Sequence, residues 1–509
     1  WPVRWAGRLN FGFGYPVFNF LYPGTFYLAE IFHVLKLNFV DSIKALYVFS
    51  YLLSGLFMYF FAKEWFGKAG GFVSAILYLY TPYRFVDMYV RGSLGESVAF
   101  VFPPLIFLAI TKLYNFLSKK IIWIGIGALS VLGLITTHNV IAYLFLPLVI
   151  AYVIFLHLGQ KPKRHNFLLS FFCLLFLGLG SSAFFWLPWF WDKQFTIFDQ
   201  VVITDFKNNF PSILELIKPS WGYGPSEPGN VNSMSFQMGI VNVLILLSSL
   251  LIIVMLNLSR FAGQVRDDKI NLAIATFFFT ITLLAIFFMT SFSQFSWQFI
   301  PGLSLIQFPW RILSVTTFAS SFLAGFVIRG ITDERRLNII AAVLFVFIAI
   351  VINFPYSKPK EFLNRGEWYY STNDATTTVQ NEYLPIWAKD LPRRRPEKKA
   401  EIIQGKGIIT NLMFKSNTTS FVYEGENGLI KFNIAFFPGW EAFVNNKKQD
   451  IVIDKHGLIT LSVAAGMSYV SLVFKETPIR KLADIISLIS LIGMAGTICI
   501  LLIKRKLLL

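Results

Sequence analysis

Apolar residues run along this chain in long unbroken stretches, and that pattern sets the first expectation. Stretches near 43–63, 69–82, 95–114, 121–137, 139–157, 167–188, 237–257, 270–290, 310–329, 337–353 and 483–503 are long enough, or nearly so, to cross a hydrocarbon core of about 30 Å. They predict about eleven membrane-spanning helices. The stretch at 69–82 is the shortest. The segment 22–37 is broken by Pro23 and Gly24 and carries Glu30, His33 and Lys36, so it reads as a helix lying in the interface rather than crossing it.

The pattern changes after 353. The segment containing Pro392-Arg393-Arg394-Arg395-Pro396 reads as irregular chain. From about 418, short alternating stretches at 420–424, 430–436, 441–444, 450–453, 458–463 and 468–474 read as strands, with turn signals at Asn445-Asn446 and His456-Gly457. The predicted fold is therefore mostly α. A first loop over 1–42 precedes a polytopic helix bundle over 43–353. A β-sandwich-like domain outside the membrane follows within 354–480, and 481–509 supplies a final transmembrane helix with a basic tail.

Composition agrees. Of 509 residues, 55% are hydrophobic and only 14% charged, where an ordinary globular chain is about one quarter charged. That balance excludes a soluble enzyme, a disordered chain and a disulfide scaffold. Cys173 and Cys499 lie in separate apolar stretches and make no framework. The net charge of +17 would suggest nucleic acid in a soluble protein. Here the basic residues sit in alternate loops: Lys63 and Lys68; Lys112, Lys119 and Lys120; Lys161, Lys163 and Arg164; Arg260, Arg266 and Lys269; Arg329, Arg335 and Arg336; Lys504, Arg505 and Lys506. The positive-inside bias makes those loops cytoplasmic and excludes a nucleic-acid partner. Residues 1–42, the long loop 189–236 and the β-rich domain are then extracytoplasmic. Because the chain opens on Trp1 in what reads as mid-loop, a further helix is expected upstream.

Polar groups at helix ends in a membrane are costly and so mark candidate chemistry. The densest cluster is Tyr83-Arg84-Phe85-Val86-Asp87-Met88-Tyr89-Val90-Arg91-Gly92-Ser93-Leu94-Gly95-Glu96. Guanidinium forks suit phosphate oxygens, and carboxylates there suit a general base or a divalent metal ion. The same residues would equally form a self-neutralising ion-pair set. A second candidate is Thr136-Thr137-His138-Asn139, where His138 is either a site residue or a satisfied helix-end group. A third is Gln307-Phe308-Pro309-Trp310-Arg311, either a cation presented to a cavity or an interfacial anchor. No nucleotide-binding, hydrolase or zinc motif occurs in the sequence.

Arg4-Trp5, Asn10-Phe11-Gly12-Phe13-Gly14-Tyr15-Pro16-Val17-Phe18-Asn19-Phe20, Tyr83-Arg84, Tyr89-Val90-Arg91-Gly92, Glu96, Phe308-Pro309-Trp310-Arg311, Glu382-Tyr383-Leu384-Pro385-Ile386-Trp387 and Phe437-Pro438-Gly439-Trp440-Glu441-Ala442 together resemble a group of large bacterial membrane proteins. That group is catalogued as 6-pyruvoyl-tetrahydropterin-synthase-related and is similar to the GT-C class of integral-membrane glycosyltransferases. The resemblance covers nearly the whole chain. It implies a multi-pass protein of the bacterial plasma membrane that takes a sugar from a polyprenyl-phosphate carrier on the outer face and performs hexosyl or pentosyl transfer. The acceptor would be a glycan, lipid or protein of the cell envelope.

The class carries an acidic residue after its first transmembrane helix, a position that would precede Trp1 here. Asp87 and Glu96 are then the candidate catalytic carboxylates, acting directly or through a divalent metal ion. Arg84, Arg91, Tyr89, His138, Asn139 and Arg311 are the candidate substrate-binding residues. Two other readings stand beside this one: a transporter or flippase of a lipid-linked intermediate, and a non-catalytic envelope assembly protein. A transporter should show paired broken helices in its two halves, and a scaffold would tolerate loss of Arg84 and Arg91.

Overall fold

The computed structural model describes residues 2–115, 120–159, 166–202, 205–261, 269–331, 334–372, 381–388 and 391–506. The loop residues Lys119, Lys161, Lys163, Arg164 and Arg266, used above to orient the chain, lie outside the described set. Most of the described residues are helical, and a β-sheet region follows near the C-terminus. Among the described residues, eight helices are long and apolar enough to cross a membrane: Phe39–Tyr80, Leu94–Asn115, Lys120–Thr137, Asn139–Gly159, Ile240–Leu258, Ile270–Met289, Pro309–Ile331 and Arg336–Tyr356. They define a multi-pass membrane protein.

The count is eight rather than the expected eleven, for local reasons. The stretches 43–63 and 69–82 both form helix within Phe39–Tyr80 and are counted together, although the chain turns back between them at Gly67 (φ 75°, ψ −174°), so that the Tyr51 hydroxyl donates to the Leu79 carbonyl at 2.8 Å. The stretch 167–188 is divided into Phe167–Ser181 and Ala183–Asp192. The last helix, Pro478–Lys506, opens on a charged turn, and its final third lies among residues whose side chains are not described. The segment expected to lie in the interface forms the 11-residue helix Gly24–Val34.

The chain divides into two compact units. One comprises Trp1–Pro23, Ser181–Ile203 and Arg365–Ile489, and the other Gly24–Gly180, Thr204–Asn364 and Ser490–Leu509. In the helical unit, Pro309–Ile331 is the hub, with 94% of its apolar window buried, while Arg336–Tyr356 is only 17% buried. A buried hydroxyl on such a helix costs free energy unless it finds a partner. Ser320 Oγ donates to the Thr316 carbonyl and accepts from Asn242 Nδ2 at 2.8 Å. The hub meets Phe39–Tyr80 where Gly325 lies against Gly70. A Cβ on Gly325 would stand 2.7 Å from the Phe66 ring and 3.0 Å from the Gly70 carbonyl. Gly325→Leu is therefore expected to destabilise the protein by about 1–3 kcal/mol, read by thermal unfolding in nanodiscs. A neutral result would mean that this contact is loose.

Among the described residues, the other unit holds nine strands: β1 (Ala400–Gln404), β2 (Gly407–Lys415), β3 (Thr418–Gly425), β4 (Gly428–Ala435), β5 (Trp440–Val444), β6 (Lys447–Gln449), β7 (Val452–Ile453), β8 (Leu458–Val463) and β9 (Gly466–Phe474). They form two antiparallel sheets, ordered β1-β4-β8-β7 and β2-β3-β9-β5-β6. Alternation places Phe421 and Tyr423 of β3, Phe432 of β4 and Leu472 of β9 in the core, all fully buried. The sheets meet through Phe421 and Phe432, with ring centroids 5.5 Å apart.

Four of the motifs behind the family resemblance meet in this unit. Trp5 packs on Trp440 and Phe474 at 5.6 and 5.4 Å. Phe20 stacks on Tyr383 at 4.8 Å. Ala435 N–H donates to the Phe13 carbonyl, and Lys399 Nζ donates to the Gly12 carbonyl.

The Phe437-Pro438-Gly439-Trp440 turn has a specific task. It cradles Arg480, whose guanidinium lies 5.4 Å from the Phe437 ring and 5.3 Å from that of Phe474. Arg480 Nε donates to Asp192 Oδ2 at 2.8 Å, both groups being fully buried. Arg4 adds bonds to Asp484 at 2.8 Å and to Glu476 at 3.3 Å. These contacts fasten the first turn of the last helix to the rest of the β unit.

Candidate functional site

Every candidate site residue belongs to the helical unit. The segment after Tyr80 is shaped by its own sequence. Thr81 is extended, and Pro82 opens the short helix Pro82–Phe85, where its fixed φ is suited to the first turn. A π-turn over Val86–Val90 follows, closed by Arg91 N–H donating to the Val86 carbonyl at 2.9 Å. Such widened turns recur at functional sites. Gly92, at φ 60°, reverses the chain into the helix containing Glu96.

This geometry turns Asp87, Arg91 and Glu96 toward one another. Arg91 Nη1 donates to Asp87 Oδ1 and, at 2.7 Å, to Glu96 Oε2. Tyr83, a residue of the stretch that had no assigned role, donates its hydroxyl to Glu96 Oε1 at 2.6 Å and accepts from Arg91 at 3.4 Å. Both carboxylates are shut from solvent, whereas the Arg91 side chain keeps 15% exposure. Asp87 Oδ2 is buried with no hydrogen-bond partner among the described residues.

Arg84 points elsewhere. It is 2% exposed, lies 4.2 Å over the Phe100 ring between Tyr51 and Tyr78, and donates to Ser54 Oγ at 3.1 Å. An incoming phosphate does not reach it in this arrangement, so its cation acts on the site from a distance.

Arg311 and His138 join the same neighbourhood, for Glu96 feels the charges of Arg91, His138 and Arg311. Arg311 Nη1 donates to Gln307 Oε1 at 3.0 Å and to the Ile306 carbonyl at 3.1 Å. The Trp310 ring meets both cations, 4.7 Å from Arg91 and 5.8 Å from Arg311. The His138 Nδ1 accepts the Ile141 N–H at 3.2 Å, so the ring caps the helix Asn139–Gly159 and carries no proton on that nitrogen. Asn139 is half-buried, its Oδ1 accepting from Val140 N–H at 2.9 Å.

The segment's other face opens on a groove of about 490 Å³, lined by Lys44, Tyr51, Tyr80, Phe85, Met88 and Tyr89 among others. Tyr89 thus sits beside the charged cluster but on its apolar side. Lys44 and Tyr51 had no signal in the sequence, because they reach the groove from a helix some forty residues upstream. Among the described residues no group of three His, Cys, Asp or Glu side chains gathers as a metal site. Asp87 and Glu96 are both engaged by Arg91, and this donor set does not fit a divalent ion.

Asp87 lies in the segment between the first two spans. Burial first, and then the neighbouring Glu96 carboxylate, push its carboxyl well above its ordinary value near 3.8. The folded chain therefore holds that proton more tightly than the unfolded one. Its contribution to stability is complete below the ordinary value and is lost as pH rises through the folded one. Asp87→Asn stays neutral at every pH, so its stability relative to wild type is expected to increase from acidic to alkaline buffer. Parallel unfolding curves across that range would show Asp87 to be ionised throughout.

No protein-family profile matches the chain. A protein of Lactococcus lactis subsp. cremoris (strain MG1363), described as uncharacterized, is 24% identical over 209 residues, covering 39% of this chain and 33% of that protein. The match spans about a third of the relative's length and brings no activity with it.

Proposed function

We propose that the chain is a membrane glycosyltransferase that takes a sugar from a polyprenyl-phosphate donor on the outer face of the bacterial plasma membrane. One observation carries the reading. Two guanidinium groups, Arg91 and Arg311, stand near the carboxylates Asp87 and Glu96, with the Arg84 cation acting on them from its aromatic cage, and the turn holding Asp87 has Met88 and Tyr89 on an apolar groove. Buried positive excess in a membrane protein favours an anionic ligand. The adjoining groove suits an isoprenoid tail, and Arg91 and Arg311, both against the Trp310 ring, suit the phosphate.

The chemistry follows from these positions. Asp87, with an unengaged oxygen and a raised proton affinity, accepts the proton of the acceptor hydroxyl. The acceptor oxygen bonds to the anomeric carbon while the bond from that carbon to the phosphate oxygen breaks, the electron pair leaving with the phosphate. A newly neutral Asp87 releases Arg91, which with Arg311 holds the developing phosphate charge. Glu96, clamped by Tyr83, keeps Arg91 in place, and His138 and Asn139 set the helix end beside it.

The test uses nanodiscs containing the purified chain and radiolabelled polyprenyl-phosphate glucose, galactose or N-acetylglucosamine, with cell-envelope glycan as acceptor. Transfer of label with release of polyprenyl phosphate is expected, reduced at least a hundredfold by Asp87→Asn. Movement of the lipid between leaflets without transfer would sink the reading.

A further inference from the structure

A second site lies in the β unit. Where β6, at the edge of the five-stranded sheet, approaches β8 of the other sheet, a cleft of about 410 Å³ opens, lined by Gln404, Asn427, Leu429, Gln449, Ser462 and Val463 among others. That volume falls within the range of small-ligand sites, roughly 300–1,000 Å³. Its chemistry is uniform: three carboxamides and a hydroxyl face it, and its described lining carries no ionisable side chain.

Two of the carboxamides are fixed from behind. Gln449 Nε2 donates to the Ser462 carbonyl at 3.0 Å, leaving its Oε1 for a ligand. Asn427 Oδ1 accepts the Ala465 N–H at 2.8 Å, leaving its Nδ2. The third sits at an irregularity: pairing of β1 with β4 slips between Ile402 and Gln404, and Gly405 follows at φ 87°. A bulge at a strand end re-aims one side chain, and here that side chain is Gln404. A ladder continuing in register would carry Gln404 in ordinary alternation with Ile402.

We infer that this cleft binds a neutral saccharide. Carboxamides held in place offer donors and acceptors together, as vicinal hydroxyls require, while Leu429 and Val463 supply apolar contact for a sugar's C–H face. An acidic ligand would find no cation in the described lining. The inference takes only its purpose, docking of an acceptor or product glycan, from the transferase reading. The binding itself stands apart from it.

The experiment uses the full chain in nanodiscs prepared free of sugar-headed detergent, with ligand-observed NMR on maltose, cellobiose, lactose and chitobiose, and with glucuronate and trialanine as controls. At least one disaccharide is expected to bind saturably. Gln404→Ala and Gln449→Ala should each weaken it tenfold or more with unchanged thermal unfolding. Absence of binding by all four, binding indifferent to both glutamine substitutions, or equal competition by glucuronate or trialanine would overturn the inference. Lost saccharide binding with intact sugar transfer would defeat the cleft alone, and the reverse pattern would defeat the transferase reading alone.

Discussion

Arg91→Met is expected to abolish sugar transfer and to lower the stability of the folded protein by about 3–5 kcal/mol, the usual cost of stripping one partner from a buried ion pair. The size of the effect follows from geometry. One nitrogen, Nη1, serves Asp87, Glu96 and the Tyr83 hydroxyl, and both carboxylates are closed to water. Removing the cation leaves them facing each other across a low-dielectric gap. Combining Arg91→Met with Asp87→Asn and Glu96→Gln should restore most of the lost stability, because the uncompensated charges go with it, but should not restore transfer. Unfolding and transfer assays on the same nanodisc samples separate the two effects. A stable, active Arg91→Met protein would show that the cluster neither holds the fold nor meets the donor.

Gly439→Val is expected to be the most damaging single change in the β unit, costing roughly 3 kcal/mol or more from combined backbone strain and overpacking. Gly439 sits at φ 123°, a conformation that side chains rarely adopt. Its Cβ would lie 2.7 Å from the Lys475 carbonyl and 2.8 Å from Arg480 Nη1. Displacing Arg480 would also leave Asp192, which is 1% exposed, without its counter-ion. Protease accessibility of the 365–489 region, followed by mass spectrometry, should rise sharply in Gly439→Val and in Arg480→Leu. Protection equal to wild type in both would mean that this cradle is dispensable.

Much of the architecture could be read from the chain, because a bilayer imposes a simple length rule and strands impose a simple alternation. The eight helices fall on predicted apolar stretches, and most of the strands on predicted alternating ones. The break at Gly67 was legible as the charged gap between 63 and 69, whereas the division after Ser181 falls inside an unbroken apolar stretch and leaves no trace in hydropathy. The cluster 83–96 stood out for its charge density, and Asp87, Arg91 and Glu96 do meet. Composition could not reveal that Arg84 turns into an aromatic cage, since Tyr51, Tyr78 and Phe100 reach it only through the fold. The Phe-Pro-Gly-Trp turn looked like a signature without a task. It acquires one only beside Arg480, some forty residues further along.

The β unit is stitched from three stretches of chain, 1–23, 181–203 and 365–489. Trp5 cannot find Phe474, nor Phe195 find Trp387, until the long stretches of chain between them have been made. During synthesis the aromatic N-terminal strap must therefore wait, uncovered, while helix after helix enters the bilayer. Holding factors and translation speed, more than equilibrium stability, then govern how much of this protein matures.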